Sequence, residues 1–236
     1  MNILNFFDFL ADFENYDEIG VARMNLRHEF IVAPFAQFIC GSRVLDIAAH
    51  DGRWSYALAA AGASIVNGVE ARGELIAGFK TYPNSDFKGR IKLKQNDLYQ
   101  ELDRLIEDRV NFDVVALYGI FYHVMDHYGL LAKVTQLNPK VIIIDSEFIT
   151  SANPVIQLVK ERTDNVLNAI GQVPLQETTL IGIPSTTAME RMAEVLGFNL
   201  EWLDWDSLPI ERRIGVQDYF RDKPKRRRTC ALYPIT

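Results

Sequence analysis

Short apolar runs alternate with stretches of helical periodicity along most of the chain. The first clear run, residues 44–48, lies between small and turn-forming residues, which is typical of a strand buried on both faces. A tight turn and a helical pattern at 53–61 follow, and Gly62 marks the end of that helix. A second apolar run then ends in Glu70. This order of strand, turn, helix and strand predicts a right-handed parallel crossover unit.

The same alternation continues towards the end of the sequence. Apolar runs at 91–95, 112–119 and 140–145 predict three further strands, helical patterns occur at 99–108, 129–137 and 185–196, and segments 200–205 and 228–233 predict a closing pair of strands. Strands that alternate with helices are typical of a doubly wound α/β fold with a mostly parallel sheet. We therefore expect a single α/β domain over residues 1–236.

Two regions of helical spacing precede the first strand. Apolar residues recur at helical spacing over 3–13, and 23–38 predicts a second helical region with a break near Pro34. We expect residues 1–40 to form an N-terminal helical cap that packs on the domain. For the first helix, a lid over a bound cofactor or a contact in a homodimer is the alternative role.

Composition and charge narrow the range of functions. The 236 residues are 48% hydrophobic and carry a net charge of −6, which argues against a general polyanion binder. Cys40 and Cys230 are too few and too far apart for a disulfide framework or a metal knuckle, so we expect a reducing, cytoplasmic environment. No apolar run approaches the length of a membrane span, and Asp8 and Asp12 interrupt the apolar N-terminus, which does not match a signal peptide. We expect no membrane partner.

Two carboxylates at the ends of the first two strands form the first candidate site. Asp46 and Glu70 are 24 residues apart, close to the spacing of about 20 at which an acidic residue meets the ribose of a bound nucleotide. The helix after the turn directs its first backbone N–H groups at the same edge of the sheet. Ala48 and His50 occupy positions where a dinucleotide fingerprint has glycines. This departure speaks against close approach of a pyrophosphate and against a nicotinamide oxidoreductase.

Residues 46–52, DIAAHDG, and the strand that ends in Glu70 resemble motifs I and II of the class I S-adenosylmethionine-dependent methyltransferases. Motif I of that family has the form acidic-x-Gly-x-Gly-x-Gly, and Gly52 is the glycine that this chain retains. Further matches follow in the family's order, so the resemblance covers residues 43–160 and, loosely, the closing strands. It implies S-adenosylmethionine as the cofactor. It also implies a seven-stranded sheet in which the last strand inserts antiparallel between the fifth and sixth.

The resemblance also implies a set of cofactor contacts. It assigns Asp46, Ala48, His50 and Gly52 in the first turn, Glu70 and Ala71 on the ribose side, Asp97 and Leu98 on the adenine side, Tyr118 on the fourth strand, and Arg27 at the methionine carboxylate. Asp97 also fits the N-cap of the following helix, and the two roles are compatible. Arg23 is an alternative to Arg27, and a solvated helix face explains both arginines equally well.

The loop after the fourth strand is the predicted acceptor site. Residues 119–128 resemble motif IV and its following loop in small-molecule O-methyltransferases and wobble-uridine-modifying methyltransferases. Ligands of open α/β sheets bind beyond the carboxyl ends of the strands, so His123 is the predicted catalytic base. Phe121 and Tyr122 are predicted to line the substrate pocket. A packed histidine is the structural alternative, and His127 on the next helix is a second candidate.

Asp145 and Glu147, at the end of the fifth strand, are further candidates for contact with the substrate. We expect at most one of them to face the site. With His123 or Asp126 they would form an oxygen-rich site for a divalent cation such as Mg²⁺, as in some sugar and catechol methyltransferases. The alternative is that these carboxylates only cap and solvate the strand end. It is favoured because no compact ligand motif accompanies them.

Residues 148–184 form an insertion relative to a minimal domain of this family. The insertion lies between the predicted cofactor-binding core, 41–147, and a closing segment of helix and strands, 185–236. We expect a helix at 153–170. By analogy with the resembling enzymes, we expect the insertion to cover the acceptor site and select the substrate. A peripheral dimer element is the alternative.

The basic run at 223–228 is the one feature that suggests nucleic acid. We interpret it as a solvated turn before an edge strand, because the chain is acidic overall and has no second basic patch. The sequence therefore predicts an S-adenosylmethionine-dependent methyltransferase that methylates an oxygen of a small molecule, such as a sugar or other secondary metabolite. A tRNA-modifying methyltransferase is the first alternative, and a non-catalytic nucleotide-binding module is the second.

Overall fold

A seven-stranded sheet forms the centre of the protein in the computed structural model, which describes residues 5–14, 16–171, 173 and 175–235. The described strands are β1 (Arg43–Ile47), β2 (Ile65–Glu70), β3 (Ile91–Gln95), β4 (Val114–Tyr118), β5 (Val141–Ile149), β6 (Ile156–Arg162), β7 (Thr178–Pro184), β8 (Phe198–Trp202) and β9 (Lys225–Pro234). The central sheet has the order β3-β2-β1-β4-β5-β9-β8. Strands β1 to β5 pair in parallel, and β9 is antiparallel to both β5 and β8. This is the doubly wound, mostly parallel sheet with an antiparallel closing strand that the sequence predicts.

Helices cover both faces of this sheet. The described helices are α1 (Glu18–Ile31), α2 (Ala36–Ile39), α3 (Arg53–Ala60), α4 (Gly73–Gly78), α5 (Leu98–Glu107), α6 (His127–Thr135) and α7 (Thr186–Val195). Val44 of β1 packs in one apolar cluster with residues of α1 and α3. Its neighbour Leu45 packs in a second cluster with residues of α5, α6 and α7. Successive side chains of β1 therefore enter the two layers in turn, as the pleat of a strand buried on both faces requires.

Most helices and strands begin and end close to the residues that the sequence predicts. The predicted break near Pro34 is confirmed, because α1 ends at Ile31 and a short 3₁₀ turn separates it from α2. Proline lacks the N–H that a helix interior needs, and it disfavours helical geometry in the residue before it. Of the predicted N-terminal helix, Asp8–Asp12 forms a 3₁₀ helix, and positions 3 and 4 lie outside the described residues. None of the described helices is both long enough and apolar enough to cross a membrane.

The predicted helix at 153–170 is wrong. The insertion is instead a β-hairpin in which β6 and β7 pair antiparallel along their full length, from Ile156 opposite Pro184 to Arg162 opposite Thr178. The apolar residues at 155, 156, 158 and 159 fit one face of a helix as well as they fit a strand, so periodicity alone is ambiguous here. The partner strand β7, which begins 22 residues after the start of β6, decides the outcome because it supplies the backbone hydrogen bonds.

The interpretation of the basic run as a solvated turn before an edge strand is also wrong. β9 begins at Lys225 and lies between β5 and β8, so its first residues are part of an interior strand. Arg227 is buried. Because side chains alternate along a strand, every second residue of the run faces the opposite side of the sheet. The side chains of the basic run therefore lie on both sides of the sheet.

The close packing of β2 against the first turn generates a prediction. A Cβ built on Gly68 lies 2.5 Å from Leu93 Cδ2 and 2.9 Å from both Ala49 Cβ and Ser55 Oγ. We expect Gly68→Ala to lower the free energy of unfolding by about 1–3 kcal/mol through overpacking. Urea denaturation followed by circular dichroism measures the change. Gly89→Ala is the matched control, because a Cβ there meets no described atom within 4 Å; equal stabilities of the two variants would contradict the prediction.

Candidate active site

The turn after β1 has the left-handed backbone conformations of a glycine-rich loop, although two of the glycines are replaced by other residues. Ala48 has a φ of 58° and His50 a φ of 55°, and Gly52, which precedes α3, has a φ of 82°. Left-handed backbone costs a non-glycine residue roughly 1–2 kcal/mol. Such strain persists only where the surrounding structure enforces it, and it clusters at functional sites. Ala48 and His50, which replace two glycines of motif I in this chain, thus still adopt the backbone conformation that favours glycine.

Glu70 is fixed at the end of β2 by two backbone amides. Its Oε2 accepts a hydrogen bond from the N–H of His50 at 3.0 Å, and its Oε1 accepts one from the N–H of Arg72 at 3.0 Å. The residue is 6% exposed. A carboxylate oxygen has two lone pairs, so each oxygen can accept one more hydrogen bond. The arrangement therefore presents a pre-oriented anionic acceptor beside the first turn.

Asp46 lies beneath this turn and is buried. Its carboxylate accepts a hydrogen bond from the Ser55 hydroxyl at 2.7 Å. Burial raises the pKa of Asp46 to about 7, and the nearby charge of Glu70 acts in the same direction. Because the side chain is only 1% exposed, its place in the structure is to hold the turn against α3. A direct contact between Asp46 and a cofactor stays a prediction.

On the adenine side, Asp97 has the N-cap role that the sequence predicts. Its Oδ1 accepts hydrogen bonds from the N–H groups of Tyr99 at 2.9 Å and Gln100 at 3.1 Å. Asp97 is exposed, and Leu98 begins α5 beside it. The loop after β2 is tied to β3, because the carbonyl of Ala71 accepts a hydrogen bond from the Gln95 amide at 3.2 Å. The predicted adenine contacts thus lie just past the end of β3, and they stay predictions.

A polar cluster at the first turn holds two buried polar atoms without a partner. The Arg53 guanidinium pairs with Asp51 at 2.7 Å and lies 3.0 Å from His50 Nδ1. Since arginine only donates, Nδ1 accepts, and in the neutral ring Nε2 carries the proton. Among the described residues, His50 Nε2 and the hydroxyl of Tyr16 have no hydrogen-bond partner. Leaving such a group unsatisfied costs about 1–3 kcal/mol, so this cluster fits a polar ligand.

A buried ion cluster centred on Asp145 lies at the end of β5. Asp145 Oδ2 accepts hydrogen bonds from Arg27 at 2.6 Å and Arg227 at 3.0 Å, and Oδ1 accepts from the hydroxyls of Tyr219 and Thr229, each at 2.9 Å. Burial by itself would raise the pKa of Asp145, but the charges of Arg227 and Arg27 outweigh it and lower the pKa to about 2. The carboxylate is therefore ionised and fully engaged by protein groups.

This cluster changes the roles predicted for the carboxylates of β5. Residues two apart on a strand face the same side, so Asp145 and Glu147 do not point in alternate directions, and the reason for expecting at most one of them at the site does not hold. Glu147 pairs with Arg221 at 2.9 Å and Lys225 at 2.7 Å. Both carboxylates have cationic partners, and the described part of the chain contains no group of three or more His, Cys, Asp or Glu suited to a metal ion. A contact of Asp145 or Glu147 with a substrate or a metal ion stays a prediction.

The two arginines considered for the cofactor carboxylate have different partners. Arg23 pairs with Asp218 at 2.6 Å and donates to the carbonyl of Gly215. Arg27 is buried, bonds to Asp145, and lies 4.8 Å from the ring centroid of Trp54, which follows the first turn directly. Arg27 is therefore the arginine next to the turn, and the solvated-face interpretation does not apply to it. Its contact with a cofactor stays a prediction.

Tyr118 and Phe121 are more deeply engaged than the sequence suggests. The hydroxyl of Tyr118 donates to the carbonyl of Ile31 at 2.8 Å and so ties the end of α1 to β4. Phe121 is fully buried in the second apolar cluster, where it meets the rings of His127 and Phe148. The prediction that Phe121 lines the substrate pocket is wrong. In the 3₁₀ turn after β4 successive side chains diverge, so Phe121 enters the core while the two following residues do not.

His123 forms a dyad with a residue of the insertion. Its Nδ1 lies 2.9 Å from Glu161 Oε2, which also accepts the N–H of Ala169 at 2.8 Å. A carboxylate only accepts, so Nδ1 carries the proton and Nε2 keeps its lone pair. Burial lowers the pKa of His123 and outweighs the opposite effect of Glu161. The imidazole is therefore neutral at pH 7, with its orientation fixed, and the ring of Tyr122 lies 4.0 Å from it.

Glu161 is a candidate site residue that the sequence did not predict. It is 38 residues from His123, on a segment with the wrong predicted structure. A strand interpretation of 156–162 would have been the only signal for it. His127 is a packed histidine: it is buried and donates from Nε2 to the carbonyl of Gly182 at 2.9 Å, and its Nδ1 has no hydrogen-bond partner among the described residues. The N–H of Gly182 donates to the carbonyl of Val124, so β7 docks on the loop after β4.

The insertion also reaches the loop after β2. Arg72, two residues past Glu70, donates to the carbonyl of Asn168 at 2.6 Å. Asn168 in turn donates to the carbonyl of Arg162 at the end of β6. One segment thus contacts both the predicted cofactor side and the predicted acceptor side. The structure shows these contacts, and the role of the insertion in covering the acceptor stays a prediction.

Comparison with known proteins identifies the fold. No protein-family model and no curated protein sequence matches the chain. Among solved structures, the N-terminal domain of EvdMO1 with SAH bound has a TM-score of 0.62 and 17% identity, and the match covers 86% of this chain and 79% of that one. An S-adenosylmethionine dependent methyltransferase from Mesorhizobium loti has a TM-score of 0.55 and 15% identity, with 85% and 96% covered.

A third structure agrees. Magnesium protoporphyrin IX methyltransferase (ChlM) from Synechocystis PCC 6803, with bound SAH, has a TM-score of 0.55 and 14% identity, with 96% and 92% covered. At these identities the likeness shows the fold. The chain therefore has the class I S-adenosylmethionine-dependent methyltransferase fold, as the resemblance in motifs I and II implies.

The ion cluster predicts a specific response to acid. The folded pKa of Asp145 is lowered to about 2, so its contribution to stability is complete above the unfolded carboxyl pKa of about 4 and is lost as the pH falls towards 2. We expect Asp145→Asn to cost about 3–5 kcal/mol at pH 7, because two buried arginines lose their counter-charge. The variant should also lose less stability than the wild type between pH 5 and pH 2. Urea denaturation across this pH range measures both effects.

Asp164→Asn is the control for this experiment. It removes the same charge from a carboxylate that pairs with Arg162 at the protein surface. Wild-type stability is expected for it at every pH, since exposed ion pairs are screened by solvent. Equal behaviour of the two variants at pH 7 would contradict the central role of Asp145.

Proposed function

We propose that the protein is an S-adenosylmethionine-dependent methyltransferase that methylates an oxygen atom of a small molecule, such as a sugar or other secondary metabolite. The observation that carries the proposal is the His123–Glu161 dyad, which stands beyond the end of β4 in a sheet of this fold. Open α/β sheets bind their ligands beyond the carboxyl ends of the strands. A neutral, oriented imidazole at that edge is the group that oxygen methylation needs.

The cofactor side fits S-adenosylmethionine on the geometry of this chain. The Glu70 carboxylate, fixed by two amides, would accept hydrogen bonds from the ribose hydroxyls, and Asp97 would accept from the adenine amino group. His50 Nε2 and the Tyr16 hydroxyl are donors without a hydrogen-bond partner in the described part of the chain, and they suit the polar methionine end. When bound, the cofactor supplies a methyl group on a positively charged sulfur. The left-handed first turn and the start of α3 hold these protein groups in place.

On the acceptor side, His123 provides the base. Its Nε2 would take the proton of the acceptor hydroxyl as that oxygen becomes the nucleophile. Glu161 holds the ring in the tautomer that leaves Nε2 free, and it stabilises the imidazolium that results. Tyr122 would form the adjacent wall of the pocket. The hairpin of β6 and β7 would cover the acceptor and exclude water, since it carries Glu161 and contacts the loop after β4.

Known structures of this fold support a small acceptor. The N-terminal domain of EvdMO1 was crystallised in the presence of SAH and D-fucose, and ChlM is named for magnesium protoporphyrin IX. The alternative of tRNA modification has less support than the sequence suggested, because Lys225 and Arg227 of the basic run are engaged by carboxylates of β5. A non-catalytic nucleotide-binding module would not need the dyad. A homodimer contact through the N-terminal region or the insertion stays a prediction.

The first test of this function addresses the cofactor. S-adenosylhomocysteine should bind and raise the melting temperature, because it stabilises only the folded state, and NAD should not. Glu70→Gln should weaken the affinity about tenfold or more, since hydrogen bonds to a charged acceptor are worth about 1.5–3 kcal/mol. Isothermal titration calorimetry measures the affinity. Glu74→Gln, an exposed position in α4, is the control that should bind as the wild type does. Binding of NAD without S-adenosylhomocysteine would refute the proposal.

The second test addresses the base. His123→Gln should lower turnover by about a hundred- to ten-thousand-fold, the usual value of a positioned base. Its affinity for S-adenosylhomocysteine should stay at the wild-type value, because the cofactor contacts lie elsewhere. A screen of hydroxylated acceptors that detects S-adenosylhomocysteine formation identifies the substrate and then measures the variants. Unchanged turnover in His123→Gln would make this histidine a packing residue.

Glu161→Gln tests in the same assay whether Glu161 acts on the His123 imidazole or only stabilises the fold. The negative charge of Glu161 raises the pKa of His123, so its removal should move the acidic limb of the pH–rate profile to lower pH while turnover falls. Glu177→Gln removes an exposed carboxylate from the same insertion and should leave the profile unchanged.

A further inference from the structure

The basic side chains at the start of β9 face opposite sides of the sheet in turn, because side chains alternate along a strand. Lys225 and Arg227 face Glu147 and Asp145 of β5 and pair with them. Arg226 and Arg228 face the other side of the sheet. Their side chains form no hydrogen bond or ion pair with any residue in the described part of the chain.

These two arginines line a cavity of about 180 Å³ where β8 ends beside β9. The cavity is also lined by Trp202, Leu203, Asp204, Trp205, Asp206, Tyr219 and Arg227. The Arg228 guanidinium lies 4.7 Å from the ring centroid of Trp202. The Nε of Arg226 is buried without a hydrogen-bond partner among the described residues.

Two guanidiniums therefore stand close together without a bonded counter-charge. The pKa of Arg228 is lowered, first by burial and then by the charge of Arg226, which agrees with that arrangement. Asp206 attracts Arg228 from a distance, but neither Asp204 nor Asp206 approaches a described basic group within the 4.0 Å of an ion pair. An unpaired, partly buried cation is costly, and a bound anion would remove that cost.

We propose that this cavity binds the phosphate group of a small phosphorylated compound. The N–H forks of Arg226 and Arg228 match the oxygens of phosphate, and paired arginines are suited to this group because each can donate two parallel hydrogen bonds. The ring of Trp202 provides a flat apolar surface beside Arg228, and the carboxylates of Asp204 and Asp206 can accept hydrogen bonds from hydroxyl groups. A recessed cavity of this size suits one small molecule better than the backbone of a folded RNA. The proposal is independent of the methyl transfer.

The experiment measures binding of inorganic phosphate and glucose 6-phosphate by isothermal titration calorimetry at low ionic strength, with glucose and acetate for comparison. Saturable binding of phosphate is expected, with tighter binding of glucose 6-phosphate and none of glucose. Arg226→Gln and Arg228→Gln should each weaken phosphate binding about tenfold or more, since each removes charge-assisted hydrogen bonds. Arg191→Gln, which removes an exposed charge from α7, should bind as the wild type does.

Several outcomes would overturn the proposal. Equal weakening in Arg191→Gln would show non-specific attraction, and acetate binding as tight as phosphate binding would show a carboxylate site instead. Binding of tRNA that both arginine variants weaken, without phosphate binding, would assign the arginines to a nucleic-acid surface. If a variant does not fold, the ¹⁵N–¹H signals of the arginine Nε–H groups in the wild type provide the test. They must shift with phosphate and not with chloride at equal ionic strength.

Discussion

The fold depends on one buried ion cluster. Asp145 joins Arg27 of α1, Arg227 of β9, Thr229 of β9 and Tyr219 of the preceding turn, and so links segments that are 74 to 118 residues apart. Two arginines face one carboxylate, so the cluster carries a net positive charge in a water-poor place. Burying ions is costly, and removing one partner leaves the others uncompensated. The N-terminal helix and the closing strand are therefore held to the parallel core by the same few atoms.

That cluster also shapes the candidate site. Arg27 packs on Trp54, directly after the first turn, and Arg227 lies 5.7 Å from the ring centroid of Tyr122, next to His123. Trp54, on the predicted cofactor side, and Tyr122, on the predicted acceptor side, thus both pack on arginines that bind Asp145. The insertion adds the remaining element from outside, because Glu161 of β6 completes the histidine dyad. The candidate site residues are therefore positioned in two separate ways. The Asp145 cluster holds those on the core, and the hairpin supplies the Glu161 carboxylate.

The parallel core and its ends were predictable from the sequence, and the partners of the site were not. Apolar runs such as 44–48 and 114–118 lie between turn-forming residues and helical patterns, which favours strands buried on both faces, and Glu70 and His123 are found from their places at strand ends. Glu161 and the hairpin were missed because a short apolar pattern fits helix and strand alike until a distant partner is known. The run at 223–228 has the composition of a surface, and only pairing with β5 reveals that Arg227 is internal. Phe121 was misplaced because a loop pattern does not show which way a 3₁₀ turn directs each side chain.

The turn at Ala48 and His50 has a consequence for how such proteins are found and how they bind. A glycine signature describes the easiest way to reach left-handed backbone, and this chain reaches it with residues that have a Cβ. A search for the glycines of motif I alone would therefore miss a turn that keeps the same backbone conformation with other residues. A side chain also reduces the number of conformations open to the unfolded chain, by an amount that Gly→Ala exchanges put at about 0.4–1 kcal/mol, which offsets part of the strain. A turn whose unfolded chain has fewer accessible conformations loses less conformational entropy when it is fixed around a ligand.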